Sequence, residues 1–203
     1  MEKYKTKYRV DTARLKNWDY GSHGWYFVTI CTQGKECYFG EIEFDPVITN
    51  NNALSQNFVP TDNVETQNFA SLRPTEIGRV AHQNWLEIPN HFPFIKLDEF
   101  VVMPNHVHGI LFINKPDYHD WKPNTFGPQS QNLASVIRGY KASVKKYATM
   151  NQIEFAWQPR YHDHIIRYYQ NLHMIRHYIW DNPLKWATNA DQNQSLTQIV
   201  KNG

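Results

Sequence analysis

Cysteine is scarce in this sequence: Cys31 and Cys37 are the two in 203 residues. They do not form a CxxC pair, which argues against a thiolate zinc site; a buried, reduced pair is the expectation. Charge imbalance is small as well. Lys and Arg number 21 against 19 Asp and Glu, giving a formal charge of +2. That balance is compatible with a nucleic-acid partner without demanding one. No apolar run approaches the roughly 20 residues that span a bilayer, and "MEKYKTKYRV" is not followed by an apolar signal core. A soluble, cytoplasmic protein with no membrane partner is expected. A Gly-Phe-rich run of the RNA-binding kind is missing. So are paired HxT motifs, because His106 and His162 are each followed two residues on by His rather than Thr or Ser. An RNA-binding module and a cyclic phosphodiesterase are both disfavoured.

Apolar and aromatic residues are plentiful, at 41% and 15%, enough for a core in a single domain over 1–203. "WYFVTICT" at 25–32 reads as a strand, and "ECYFGEIEF" as a short returning strand. The Asn-rich stretch at 45–73 has no steady period and reads as an insertion, as does the loop at 114–130. Ile77, Val80, Ala81, Trp85 and Ile88 recur at helical spacing behind a Thr75 cap, with Pro89 as the stop. "FIKLDEFVVM" and "HVHGILFI" are strands separated by Pro104 and Asn105. A helix over about 131–148 follows, with Leu133, Val136, Ile137, Tyr140 and Val144 as its apolar stripe. "EFAWQPRYHDHIIR" is extended. Leu172, Ile175 and Ile179 mark a last helix, broken at Pro183. Strands and helices in this order predict an α+β fold, a mostly antiparallel sheet with helices packed on it.

"DEFVVMPNHVHGILFI", 98–113, sets two histidines one residue apart in an apolar run. Residues i and i+2 of a strand share a face about 6 to 7 Å apart, so His106 and His108 project together. Two readings stand: polar residues on a solvated sheet face, or a pair sharing a metal ion. The position at a strand start, just after a Pro-Asn break, places the pair at a sheet end where a site can open. His162 and His164 form a second such pair around Asp163, with His162 read as a polar strand-start residue.

Two histidines do not complete a metal shell. In "HYIWDNP", Tyr178 and Asn182 are four apart and share a helix face, offset from the Ile175 and Ile179 stripe. Each alone has a plain explanation, packing for the tyrosine and helix ending for the asparagine. Together with the histidines they make a chemical set. Tyr178 is a nucleophile, and a divalent ion on His106, His108 and Asn182 polarises a phosphate. A hard ion suits that substrate.

"FVVMPNHVHGILFI", "FAWQPRYHDHIIR", "IRHYIWDNPLKW" and the N-terminal "RLKNWDY" with "GWYFVTICTQGKECYFGEI" resemble, in order, the motifs of the IS200/IS605-like single-tyrosine HUH transposases. The similarity is greatest to the REP-associated tyrosine transposases and extends over most of the chain. The resemblance implies an RRM-like, ferredoxin-like sheet core and Mg²⁺ or Mn²⁺ held by His106 and His108. Asn182 stands where relatives carry an amide, and Tyr178 where they carry the catalytic tyrosine. It further implies a 5′-phosphotyrosine intermediate, a free 3′-OH, and hairpin DNA with adjacent single-stranded segments as partner. IS200-type relatives act as dimers that swap the tyrosine helix, whereas REP-associated relatives can act as monomers. Arg160, His164 and Arg167 fall in a family-like segment and are candidate DNA contacts. Arg138, Lys141 and Lys145 are candidates too, with a solvated helix face as the alternative. Trp157 and Tyr161 are either base-stacking or core aromatics. A hairpin-binding relative without transposition activity is the competing function.

Overall fold

The structure is a computed structural model that describes residues 18–45, 69–115 and 130–188, with backbone at 3–4 and 7–8. At the N-terminus β1 (Lys3–Tyr4) and β2 (Lys7–Tyr8) form a two-rung antiparallel ladder. The main sheet contains β3 (Gly24–Cys31), β6 (Ile95–Met103), β7 (His106–Ile113) and β8 (His162–Ile166). Its order is β6-β7-β3-β8, and every neighbouring pair is antiparallel. A separate hairpin joins β4 (Gly40–Asp45) to β5 (Phe69–Pro74). The helices are α1 (Glu76–Leu86), the single-turn α2 (Ile88–His91), α3 (Leu133–Met150) and α4 (Tyr169–Ala187). Within the main sheet the chain runs strand, helix, strand, strand, helix, strand. That is the expected ferredoxin-like α+β order, with α4 added after it.

Strand alternation divides the core in two. Tyr26, Val28 and Ile30 of β3 and Val107, Leu111 and Ile113 of β7 face α1 and α3, where they meet Ile77, Trp85, Val136 and Tyr140. Phe27 and Ile110 face the other way, into a smaller cluster with Leu172, Ile175, Tyr178 and Ile179 of α4. The helix starts follow capping chemistry. Thr75 accepts from the Gly78 N–H, and Asn132 and Ser135 make a reciprocal capping box, each cap contributing about 1 kcal/mol.

Several expectations change. The strand over 40–45 does not return along β3; it leaves the main sheet and pairs with β5, so 69–73, read as loop, is strand. The rest of the 45–73 stretch and nearly all of 114–130 lie outside the described residues. Pro89 opens α2 instead of ending a helix, since a missing N–H costs nothing in a first turn. Pro183 does not break α4, which continues to Ala187. Pro removes one helical hydrogen bond, but the turn after it is held by a tertiary contact. Trp186 packs against His106 with ring centroids 5.9 Å apart. The cysteines do not form a buried pair: both are free, Cys31 half-buried and Cys37 exposed.

α4 is anchored on the sheet from its outer side. A register irregularity in β6 between Leu97 and Phe100 turns Asp98 and Glu99 toward the helix. Arg176 makes a two-pronged bond to Asp98 at 2.8 and 2.5 Å, and Trp180 donates to Glu99 at 2.9 Å. The guanidinium holds the Asp98 carboxyl below its ordinary pKa.

Gly109 shows how tightly the strand with the two histidines is packed. A Cβ there would lie 2.2 Å from Trp85 Cζ2. That ring is fully buried, stacked on Phe100 and edge-on to Tyr140, so it has no room to retreat. Gly109→Ala is expected to destabilise the fold by about 1–3 kcal/mol, the usual cost of overpacking. Thermal unfolding followed by circular dichroism measures this, and an unchanged Tm would contradict the packing.

Candidate active site

The site begins with the turn before His106. Pro104 and Asn105 form a two-residue connection, a type of loop that fixes strand register. The segment after β3 clamps it. The Thr32 N–H donates to the Asn105 carbonyl at 2.9 Å, and the Phe39 N–H to the Pro104 carbonyl at 3.0 Å. The Asn105 side-chain nitrogen donates to the Lys35 carbonyl at 3.0 Å. That bond orients the amide, so its oxygen faces His106 Nδ1 at 2.7 Å. An amide oxygen only accepts; Nδ1 therefore carries the proton and Nε2 keeps its lone pair.

His108 is fixed from the neighbouring strand. Register pairs Thr29 of β3 with His108, and the threonine hydroxyl lies 2.9 Å from Nδ1. Phe27 stacks on the ring at 5.3 Å. Nε2 points to α4, where the Tyr178 hydroxyl lies 3.3 Å away. The two imidazoles share a face as expected, with ring centroids 4.4 Å apart. Asn182 hydrogen-bonds His106. The four residues chosen from the sequence, Tyr178, His106, His108 and Asn182, thus meet at one place.

Although offset from the apolar stripe, Tyr178 is only 8% exposed and belongs to the core beneath α4, beside His108 at 4% and Asn182 at 2%. The helix turns this polar face inward because the sheet offers it imidazole partners.

Burial sets the electrostatics. It lowers the His106 pKa from 6.5 to about 4, with Lys35 lowering it further and the Asn182 bond opposing the shift. Burial also holds His108 well below 6.5, with His106 adding to the effect. Both rings are neutral near pH 7, the form that binds metals. Each has Nδ1 engaged and Nε2 turned inward, the orientation that outer partners impose on metal-binding histidines. Two imidazoles and one amide are a donor set that could hold a divalent ion. Mn²⁺ accepts imidazole more readily than Mg²⁺. Among the described residues no group of three or more His, Cys, Asp or Glu side chains fits a metal ion, so this shell needs the amide and the substrate. His108 Nε2, the nitrogen that would hold the ion, is the one the Tyr178 hydroxyl now faces.

The predicted DNA contacts divide by location. On β8, His164 pairs with Phe27 and therefore shares the α4 side of the sheet, as does His162, which pairs with Thr29. Arg167 lies over the Trp18 ring at 5.5 Å, and Arg160 is exposed just before the strand. Arg138, Lys141 and Lys145 sit on α3, across the sheet from Tyr178. Lys141 donates to the carbonyls of Gln158 and Arg160 at 2.6 and 2.9 Å, and Lys145 to that of Phe155 at 2.5 Å. These two lysines fasten the 155–160 segment to α3. Trp157 and Tyr161 pack against the core, and Trp157 donates to the Lys141 carbonyl.

Thr29, Asn105, Lys185 and Trp186 were missed from the sequence. Asn105 had a local signal, its place directly before the motif. Lys185, three residues after Asn182, had a helical one. Thr29 had none, because its partner lies 79 positions away.

No protein-family model matches the chain. A curated protein from Haemophilus influenzae, described as uncharacterized, is 36% identical over 184 residues, covering 86% of this chain and 88% of the relative. Among solved structures, a REP-associated tyrosine transposase bound to a REP hairpin matches with a TM-score of 0.50 at 17% identity. The match covers 87% of this chain and 74% of that one. The likeness to the solved structure is one of fold.

The histidines also give the metal-free protein a pH signature. Their folded pKa values lie below 6.5, so the unfolded chain takes up protons first. Their contribution to stability is complete above pH 6.5 and is lost as pH falls from there toward 4. Asp98, also depressed, acts only below its ordinary 3.8, beneath that window. Thermal melts in EDTA should show a level Tm above pH 7 and a fall below 6.5 that is shallower in His106→Gln. Parallel curves for the two proteins would contradict the assignment.

Proposed function

This chain belongs to one family with the Haemophilus influenzae protein, and we propose that it is a metal-dependent single-stranded DNA endonuclease and strand transferase, a transposase acting on hairpin DNA through Tyr178. The observation that supports the reading above the others is the Tyr178 hydroxyl 3.3 Å from His108 Nε2, with Asn182 bound to His106 on the next turn of the same helix.

In this reading His106, His108 and Asn182 hold Mg²⁺ or Mn²⁺, which when bound polarises the scissile phosphate. Thr29 and Asn105 keep both imidazoles turned inward. Tyr178 attacks phosphorus, the bond to the 3′ oxygen breaks, and that oxygen takes up a proton to become a free 3′-OH. The 5′ side of the cut stays on the tyrosine as a phosphodiester, which conserves bond energy for rejoining. A phenol that is only 8% exposed favours a flexible single strand, which can bend into the recess, over a stiff duplex, so unpaired DNA is the substrate form. His164 shares the Tyr178 side of the sheet and is favoured as a DNA contact, with Arg160 and Arg167 flanking its strand as further candidates. Arg138, Lys141 and Lys145 lie on the opposite layer. Because α4 packs on its own sheet, a monomer suffices for the chemistry.

Incubation of protein, Mn²⁺ and end-labelled hairpin oligonucleotides, followed by a denaturing gel, tests the proposal. The fragment whose 5′ end is created at the cut should remain attached to protein. Tyr178→Phe should abolish the adduct and leave hairpin affinity within about threefold, because only a hydroxyl is removed. An adduct that persists in Tyr178→Phe would contradict the assignment. Hairpin binding with no adduct from the unaltered protein would point to a DNA-binding relative without nuclease activity.

A further inference from the structure

We propose that Lys185 binds the scissile phosphodiester; the assignment rests on the strand-transfer reading above. Tyr178, Asn182 and Lys185 occur at i, i+4 and i+7 of α4, one continuous helix face. Contacts show where that face points. Tyr178 meets His108, Asn182 meets His106, and the Lys185 ammonium lies 5.6 Å from the Tyr178 ring centre.

Exposure is graded along this face. Tyr178, His108 and Asn182 are 8%, 4% and 2% exposed, whereas the Lys185 side chain is 34% exposed. A cation therefore stands beside Tyr178 at the more exposed end of this face. A phosphodiester approaching Tyr178 passes this ammonium, and a second negative charge builds on its oxygens during attack. A fixed cation at that point stabilises the charge as it develops.

A purely structural role explains Lys185 less well. Its ion pair with Asp181 is long, at 4.0 Å, and both side chains are partly in solvent, a geometry that contributes little. α4 is already fastened to β6 by Arg176 and Trp180. A lysine loosely held by one carboxylate can exchange it for a phosphate.

The test uses Lys185→Met, which keeps the aliphatic stem, and Lys185→Arg, which keeps the charge. Binding of an uncut hairpin with unpaired extensions is measured on the Tyr178→Phe background across a salt series. Loss of one phosphate contact should lower the slope of log affinity against log salt by roughly 0.7 to 0.9, and Lys185→Arg should preserve it. With Tyr178 present, Lys185→Met should slow adduct formation at saturating hairpin by about a hundredfold, within the range for removing one transition-state contact. Lys185→Arg should recover most of that rate. An unchanged salt slope in Lys185→Met overturns the assignment, whatever the adduct assay gives. If the unaltered protein binds hairpin but forms no adduct, the nuclease reading fails and the salt slope still decides the role of Lys185.

Discussion

Everything in the site depends on one packing contact, α4 laid across the sheet face that presents His106 and His108. The opposite face is covered by α1 and α3 through an ordinary apolar core. The α4 layer is smaller and mixed, with Phe27, Ile110, Leu172, Ile175 and Ile179 surrounding a polar centre. Burying two imidazoles, a phenol and an amide without partners would cost several kcal/mol. Here each finds one. Thr29 and Tyr178 bond His108, and Asn105 and Asn182 bond His106. The fold therefore builds a preorganised, buried polar cluster.

Preorganisation is layered outward from the cluster. The turn at Pro104 and Asn105 is held by the 32–39 segment, which also sets the Asn105 amide. Gly109, one residue past the pair, lets Trp85 lie against the strand. Arg176 and Trp180 fix the far side of α4 on the β6 irregularity. A shift of α4 of even 1 Å would separate Tyr178 from His108, so these distant anchors belong to the chemistry as much as the buried groups do.

Much of this was legible in the sequence where the signal is local. Period-two spacing placed His106 and His108 on one face, and the i, i+4 rule paired Tyr178 with Asn182. The helix stripes and the Thr75 cap also followed from neighbours in sequence. What escaped depends on distant pairing. The Thr29 role needs the β3–β7 register, and the β4–β5 hairpin joins strands separated by a long intervening stretch. The continuation of α4 past Pro183 reflects the tertiary contact of Trp186 with His106, which outweighs a local breaker. The burial of Tyr178 was not legible, because helix periodicity registers apolar residues and misses an inward face with polar partners. Lys141 and Lys145 were read by charge alone, while their partners are backbone carbonyls.

The central claim is that one chain holds the complete site, tyrosine and histidines together. Co-expression of the Tyr178→Phe and His108→Ala proteins tests it directly. Each lacks one half of the site, and an assay for the covalent DNA adduct on the mixed sample reads whether the halves combine. With α4 packed on its own sheet, the mixture should form no adduct at any ratio. Adduct on the His108→Ala chain would show that its tyrosine works against the histidines of another copy, and would contradict the account.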